Sequence, residues 1–101
     1  MKVKTETKGQ MLVVSLDGDL DHHGAKDAMR EIDYAVEAHL PRTVQLNFSS
    51  VGFMDSSGIA VVLRAQKRAA AFGGTTVICG ASQQVKKVFE AAGIQRYISI
   101  T

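Results

Sequence analysis

Residues 43–79 read TVQLNFSSVGFMDSSGIAVVLRAQKRAAAFGGTTVIC, and they contain the clearest pattern of strand, helix and strand in the chain. At the start of this stretch apolar and polar side chains alternate, which predicts a strand whose buried face carries Val44, Leu46 and Phe48. After FMDSSG, apolar residues recur at steps of three and four, which predicts an amphipathic helix that ends at Gly73-Gly74. Residues 75–79 predict a further strand, and the succession of strand, helix and strand predicts a parallel pair joined by a right-handed crossover.

The first forty residues predict a hairpin followed by a helix. Residues 3–8 and 11–16 are rich in β-forming side chains on either side of Gly9-Gln10, so we expect two antiparallel strands. Apolar residues spaced by three and four between Ala25 and Leu40 then predict an amphipathic helix. The proline that follows ends this helix, because it disfavours the helical conformation of the residue before it.

The end of the chain predicts one more helix and one more strand. Ser82 is a preferred residue for starting a helix and Gly93 for ending one, and residues 97–101 form the last predicted strand. The predicted fold is therefore α/β. It is a single domain over residues 1–101, with a mixed, mostly parallel five-strand sheet in the order β-β-α-β-α-β-α-β.

Composition excludes several classes of protein. The chain has 101 residues, 12 Lys plus Arg and 10 Asp plus Glu, and its net charge of +2 is too small to indicate nucleic acid or an anionic membrane as the main partner. Its single cysteine excludes a scaffold held by intrachain disulfides. No run approaches the ~20 apolar residues of a membrane span, and residues 1–10 do not resemble a signal peptide. We therefore expect a cytoplasmic protein.

Residues 53–59, FMDSSGI, are the first candidate site because they lie where a strand passes into a helix. A helix start leaves backbone N–H groups without partners and favours negative charge. Composition alone favours the simple interpretation that a serine here caps the helix. However, two serines beside Asp55 are more than one cap requires, and a phosphate on Ser56 or Ser57 would be well tolerated at this position.

A second candidate site between a strand and the first helix consists of Asp19, Asp21, His22 and His23. The simple interpretation is that Asp21 caps the helix and that the histidines lie at the surface. A metal site is disfavoured, because adjacent histidines on extended backbone point in opposite directions and no third ligand is suitably spaced. Serine catalysis by Ser56 with these groups is also disfavoured, because FMDSSG lacks the first glycine of Gly-x-Ser-x-Gly. The sequence contains no phosphate-binding loop, and we expect no cofactor.

The apolar run over residues 59–63, IAVVL, covers more of its helix than a core stripe needs. Either neighbouring loops bury Ala60 and Val61, or the run provides a docking face beside Ser56. In the third predicted helix, the neighbouring residues Lys86 and Lys87 are most simply interpreted as part of a solvated face.

Three strings carry a resemblance to a known family at matching separations. They are residues 18–23 (GDLDHH), residues 47–48 (NF) with residues 53–58 (FMDSSG), and residues 85–89 (VKKVF). Together they resemble the STAS-domain anti-sigma factor antagonists, most closely those of the sporulation sigma-F system, and the resemblance covers nearly the whole chain. Members of this family continue into a further helix after the last strand, so we expect one face of the sheet to be less covered here.

The resemblance implies a partner switch controlled by phosphorylation. It implies that Ser56 is the acceptor, with Ser57 the less favoured one, and that the kinase is an ATP- or ADP-bound serine kinase that is also an anti-sigma factor. The unphosphorylated protein would bind this kinase and free its sigma factor, and a serine phosphatase would reverse the modification. The chain itself would not be an enzyme. The residues expected to contact the kinase are Asp21, His22, His23, Asp55, Ser57, Gly58, Ile59 and Val62.

Two alternatives to this function remain open. One is a STAS scaffold module of another signalling complex, and the other is a small serine hydrolase that uses Ser56.

Overall fold

The structure, a computed structural model, describes residues 1–101 and contains the predicted order of strands and helices. A short 3-10 turn, Ile94–Arg96, follows the third helix. The other elements are β1 (Lys2–Lys8), β2 (Met11–Leu20), α1 (His22–His39), β3 (Thr43–Met54), α2 (Ser57–Ala70), β4 (Thr75–Cys79), α3 (Gln83–Ala92) and β5 (Ser99–Ile100).

The five strands form one sheet in chain order. β1 is antiparallel to β2, and the remaining neighbours are parallel, as the hairpin and crossover patterns predict. Because consecutive right-handed crossovers advance in one direction across the sheet, all three helices lie on the same face. The opposite face carries half-buried residues that include Ser15, Gln45 and Asn47.

The core lies between the sheet and these helices. Leu12 and Val14 of β2 are in register with Val44 and Leu46 of β3, and all four are completely buried. The alternation read from the sequence therefore places the correct side chains inside. Helix α3 joins the core through Phe89, whose ring meets Phe48 edge to face with 5.3 Å between ring centroids.

Helices α1 and α2 are also joined by ion pairs at their outer edge. Asp33 of α1 accepts hydrogen bonds from Arg64 at 2.6 Å and from Arg68 at 3.3 Å, and Arg68 also contacts Glu37. The hydrogen bonds and charge of Asp33 raise the pKa of Arg64 above its ordinary value. Two cations on the outer side of α2, Arg64 and Arg68, therefore pair with carboxylates of α1.

The structure corrects several predicted boundaries. β2 continues to Leu20, past the predicted end at residue 16. β5 is shorter than predicted because the N–H groups of Tyr97 and Ile98 donate to the carbonyl of Ile94, which keeps these two residues in the turn before the strand. Leu40 is not a core residue: its side chain is 55% exposed. It adopts a left-handed conformation, with φ 44°, and its N–H closes the end of α1 on the carbonyl of Val36.

No helix in the structure combines the length and the hydropathy required to cross a lipid bilayer.

Candidate functional site

The ends of β2 and β3 bring the two candidate sites together. Leu20 and Met54, the last residues of these strands, are paired, and the N–H of Asp55 donates to the carbonyl of Leu20 at 3.3 Å. The next residues, Asp21 and Asp55, begin the passages into α1 and α2. Parallel strands with equivalent ends therefore place two helix starts side by side.

Asp21 caps α1, as the simple interpretation predicts. Its Oδ1 accepts from the N–H of Gly24 at 2.9 Å. This hydrogen bond, and then the charge of His23, lower the pKa of Asp21, while desolvation acts in the opposite direction. The rings of His22 and His23 are exposed and meet edge to face, with 6.0 Å between centroids. Both histidines are therefore accessible beside the start of α2.

Ser56 does not cap α2, so the simple interpretation of this serine is wrong. Its backbone is already helical, with φ −63° and ψ −15°, and its side chain makes no capping hydrogen bond. The cap is Asp55, whose Oδ1 accepts from the N–H of Ser57 at 2.8 Å. Ser56 is exposed and neither neighbouring histidine hydrogen-bonds to it, so its hydroxyl group is free to react with another molecule.

The structure contradicts the expectation that Gly58 and Val62 contact a partner. Val62 is 0% exposed. Gly58 is buried, and a β-carbon at this position would collide with the side chain of Met54 and approach Leu20 Cδ2 to 3.0 Å. Gly58 lets α2 lie close to the sheet because it has no β-carbon, and Val62 is packed in the core under the helix. Neither residue is accessible to a partner protein.

The apolar run of α2 divides into a buried and an accessible part. Val61, which was a candidate for cover by neighbouring loops, is completely buried in the core. Ala60 is exposed, Ile59 is half-buried and Leu63 is 46% exposed. The accessible apolar surface beside Ser56 therefore consists of Ile59, Ala60 and Leu63, which is smaller than the sequence predicts.

A groove between α2 and α3 adds residues that sequence reasoning missed. Its volume is about 550 Å³, and it is lined by Ser56, Ile59, Gln84, Lys87, Val88, Ala91 and Ala92. Lys87 is exposed, as predicted for a solvated helix face, but it also lines this groove. Four of these residues are spaced by three and four along the chain, which indicates a common face of α3. They are Gln84, Lys87, Val88 and Ala91. No signal in the sequence indicates which element that face meets.

Comparison with known proteins identifies the family to which this fold belongs. The family model for the STAS domain matches residues 2–101. The chain belongs to the STAS-domain family. This STAS domain is 32% identical over 85 residues to the anti-sigma F factor antagonist of Lysinibacillus sphaericus, with 84% of this chain and 73% of that protein covered.

Two solved structures of related proteins have the same arrangement of strands and helices as this STAS domain. The anti-sigma factor antagonist SpoIIAA in its unphosphorylated form superposes with a TM-score of 0.85 at 30% identity, covering 99% of this chain and 88% of that one. The Bacillus cell fate determinant SpoIIAA in its phosphorylated form gives a TM-score of 0.75 at 29% identity, covering 99% and 91%. These similarities confirm the resemblance and the predicted fold.

Proposed function

We propose that this STAS domain is an anti-sigma factor antagonist that is switched by phosphorylation of Ser56. The observation that carries the proposal is the free hydroxyl group of Ser56, exposed at a helix start whose cap is supplied by Asp55. The relatives named as anti-sigma F factor antagonists support the same function. The protein acts in the cytoplasm, in a sigma-factor pathway of the sporulation type.

The proposed partner is an anti-sigma factor that is also a serine kinase. The unphosphorylated domain binds this kinase, in its ATP- or ADP-bound form, and frees the sigma factor. In the phosphorylation step the Ser56 oxygen forms a bond to the γ-phosphorus of ATP, and the bond from that phosphorus to its bridging oxygen breaks. ADP leaves, and the hydroxyl proton passes to the kinase or to solvent. A serine phosphatase later restores the hydroxyl group, so the domain is a substrate and a binder.

Charge at an interface accounts for the switch better than unfolding does. A phosphate adds about −1.5 to −2 charges, and a helix N-terminus stabilises a nearby anion by about 0.3 to 2 kcal/mol. The fold is therefore not disrupted by the phosphate. Moving a partner from 99% bound to 1% bound takes about 5.5 kcal/mol of differential affinity. Burying an unpaired ion at a protein contact costs several kcal/mol, which is the right order for such a block.

The accessible residues around Ser56 form the proposed contact surface. They are Asp21, His22, His23, Asp55, Ser57 and Ile59. Asp55 precedes Ser56 directly, and Asp21 follows Leu20, which is paired with Met54, so we expect both carboxylates to add repulsion after phosphorylation.

The test is phosphorylation by a candidate kinase anti-sigma factor with ATP, followed by peptide mass analysis. Ser56→Ala should abolish the modification while keeping kinase binding, because the hydroxyl group is the switch and does not anchor the complex. Ser57→Ala tests the neighbouring serine as an acceptor, and its added phosphoryl group should still be found on Ser56. Equal modification of Ser56→Ala and wild type would overturn the site assignment. A phosphorylated domain that loses its helical circular dichroism would overturn the interface mechanism.

A further inference from the structure

Gln84 makes an unusual pair of contacts with the strand that leads to Ser56. The backbone N–H of Met54 donates to Gln84 Oε1 at 3.0 Å, and Gln84 Nε2 donates to the carbonyl oxygen of the same Met54 at 2.8 Å. A single side-chain amide therefore satisfies both backbone polar groups of the last residue of β3. The two residues are 30 apart in the sequence.

The two hydrogen bonds from Gln84 take the place of strand pairing at the end of β3. β4 pairs with β3 only as far as Asn47 and Cys79, so the end of β3 has no strand neighbour on that side. On its other side Met54 is paired with Leu20 of β2. Gln84 thus provides the two hydrogen bonds that a neighbouring strand would have provided, and it attaches the end of β3 to α3.

The attachment also sets the geometry of the groove beside Ser56. Gln84 is the second residue of α3 and lines the groove together with Ser56 and Ile59. Met54 precedes Ser56 by two residues, and Asp55, between them, caps α2. Fixing the backbone of Met54 therefore fixes the position of the serine relative to α3.

We propose that Gln84 is a positioning residue for phosphorylation, which holds the segment that carries Ser56 in the geometry that the kinase binds. The inference rests on the proposed function. A segment that is ordered before binding loses less conformational entropy on docking, so the attachment favours association. Both hydrogen bonds of the Gln84 side chain are made to Met54, and none is made to the hydroxyl group of Ser56. We therefore expect the rate of the chemical step to stay unchanged when Gln84 is replaced.

The test compares Gln84→Met with Gln83→Met. Methionine has a similar length but forms neither hydrogen bond, and Gln83 is an exposed neighbour on the same helix turn whose side chain makes no hydrogen bond. With the kinase and ATP, Gln84→Met should raise KM for the STAS domain about tenfold with kcat unchanged, and Gln83→Met should match wild type. In the free domain, amide hydrogen exchange at Met54 should accelerate at least about tenfold in Gln84→Met, with Leu46 as the unchanged core reference.

The outcomes separate this inference from the proposed function. Equal KM values for Gln84→Met and wild type would overturn the positioning role and leave phosphorylation of Ser56 standing. A lower kcat with unchanged KM would also overturn it, because the effect would then lie in the chemical step. Unchanged exchange at Met54 would show that the attachment does not order the strand end. Failure of the kinase to modify wild type would overturn both proposals.

Discussion

The capping of α2 by Asp55, with Ser56 left free, gives the sharpest test of the site. Asp55→Ala removes the carboxylate oxygen that accepts from the N–H of Ser57 at 2.8 Å. Loss of such a cap costs about 0.5 to 2 kcal/mol, typically about 1 kcal/mol. For a domain of this size, 1 kcal/mol corresponds to a fall in Tm of roughly 4 to 8 °C. Asp55→Asn keeps an oxygen that can accept the same bond, so we expect its stability to stay within about 0.5 kcal/mol of wild type.

The assay is urea unfolding followed by helical circular dichroism. With a slope of about 1 to 3 kcal/mol per molar urea, Asp55→Ala should lower the midpoint by about 0.3 to 1 M at an unchanged slope. Ser56→Ala serves as the matched control, because it removes a hydroxyl group that makes no capping bond, and should change the free energy of unfolding by less than about 0.5 kcal/mol. If Ser56→Ala is destabilised and Asp55→Ala is not, the serine is the cap and the assignment to Asp55 is wrong.

Three further predictions concern the core and the two helix starts. Thr76→Val should raise the free energy of unfolding by about 1 to 2 kcal/mol, because Thr76 Oγ1 is buried without a hydrogen-bond partner and valine keeps its shape. Exposed Thr75→Val is the control in urea titrations, and a less stable Thr76→Val would mean that the hydroxyl group has a partner. Gly58→Ala should lower the free energy of unfolding by about 1 to 3 kcal/mol through its clash with Met54; a midpoint equal to that of wild type would contradict the packing. The hydrogen bond from the Gly24 N–H holds the pKa of Asp21 below its usual value of about 3.9. The ionised Asp21 carboxylate therefore adds to the free energy of unfolding above about pH 4, and this stabilisation is lost as the pH falls. Asp21→Asn keeps a capping oxygen and should show a smaller fall in urea midpoint than wild type between about pH 5 and about pH 3; parallel falls would exclude this contribution.

The order of strands and helices could be predicted from the sequence because the signals for it are local. Alternation in β3 places Val44, Leu46 and Phe48 on one face, and all three are buried. Ser82 accepts from the N–H of Val85 at 3.3 Å and Gly93 has φ 72°, so α3 starts and ends where its residues predict. Each of these preferences depends on neighbours within one helix turn or one strand.

The composition of the site could be predicted only in part. The FMDSSG string places Ser56 at a helix start, and the family resemblance makes it the candidate acceptor. Asp55 is the cap because the helical backbone already begins at Ser56, one residue earlier than a serine cap would require. The exact ends of helices are the positions that a sequence predicts least well. The burial of Val62 could not be predicted either, because the continuous apolar run over residues 59–63 does not indicate which of its members face the sheet.

Local patterns in the amino-acid sequence are enough to predict the α/β class, the hairpin, the position of each helix and the presence of a serine at the start of α2. Packing between distant parts of the chain leaves this serine free, brings Gln84 to Met54, and forms the groove between α2 and α3 beside Ser56. The two sets of features differ in the range of the interactions that produce them. Capping and periodicity act between residues within one turn or strand, whereas the contact between Gln84 and Met54 joins residues 30 apart and exists only once β3 and α3 have packed together.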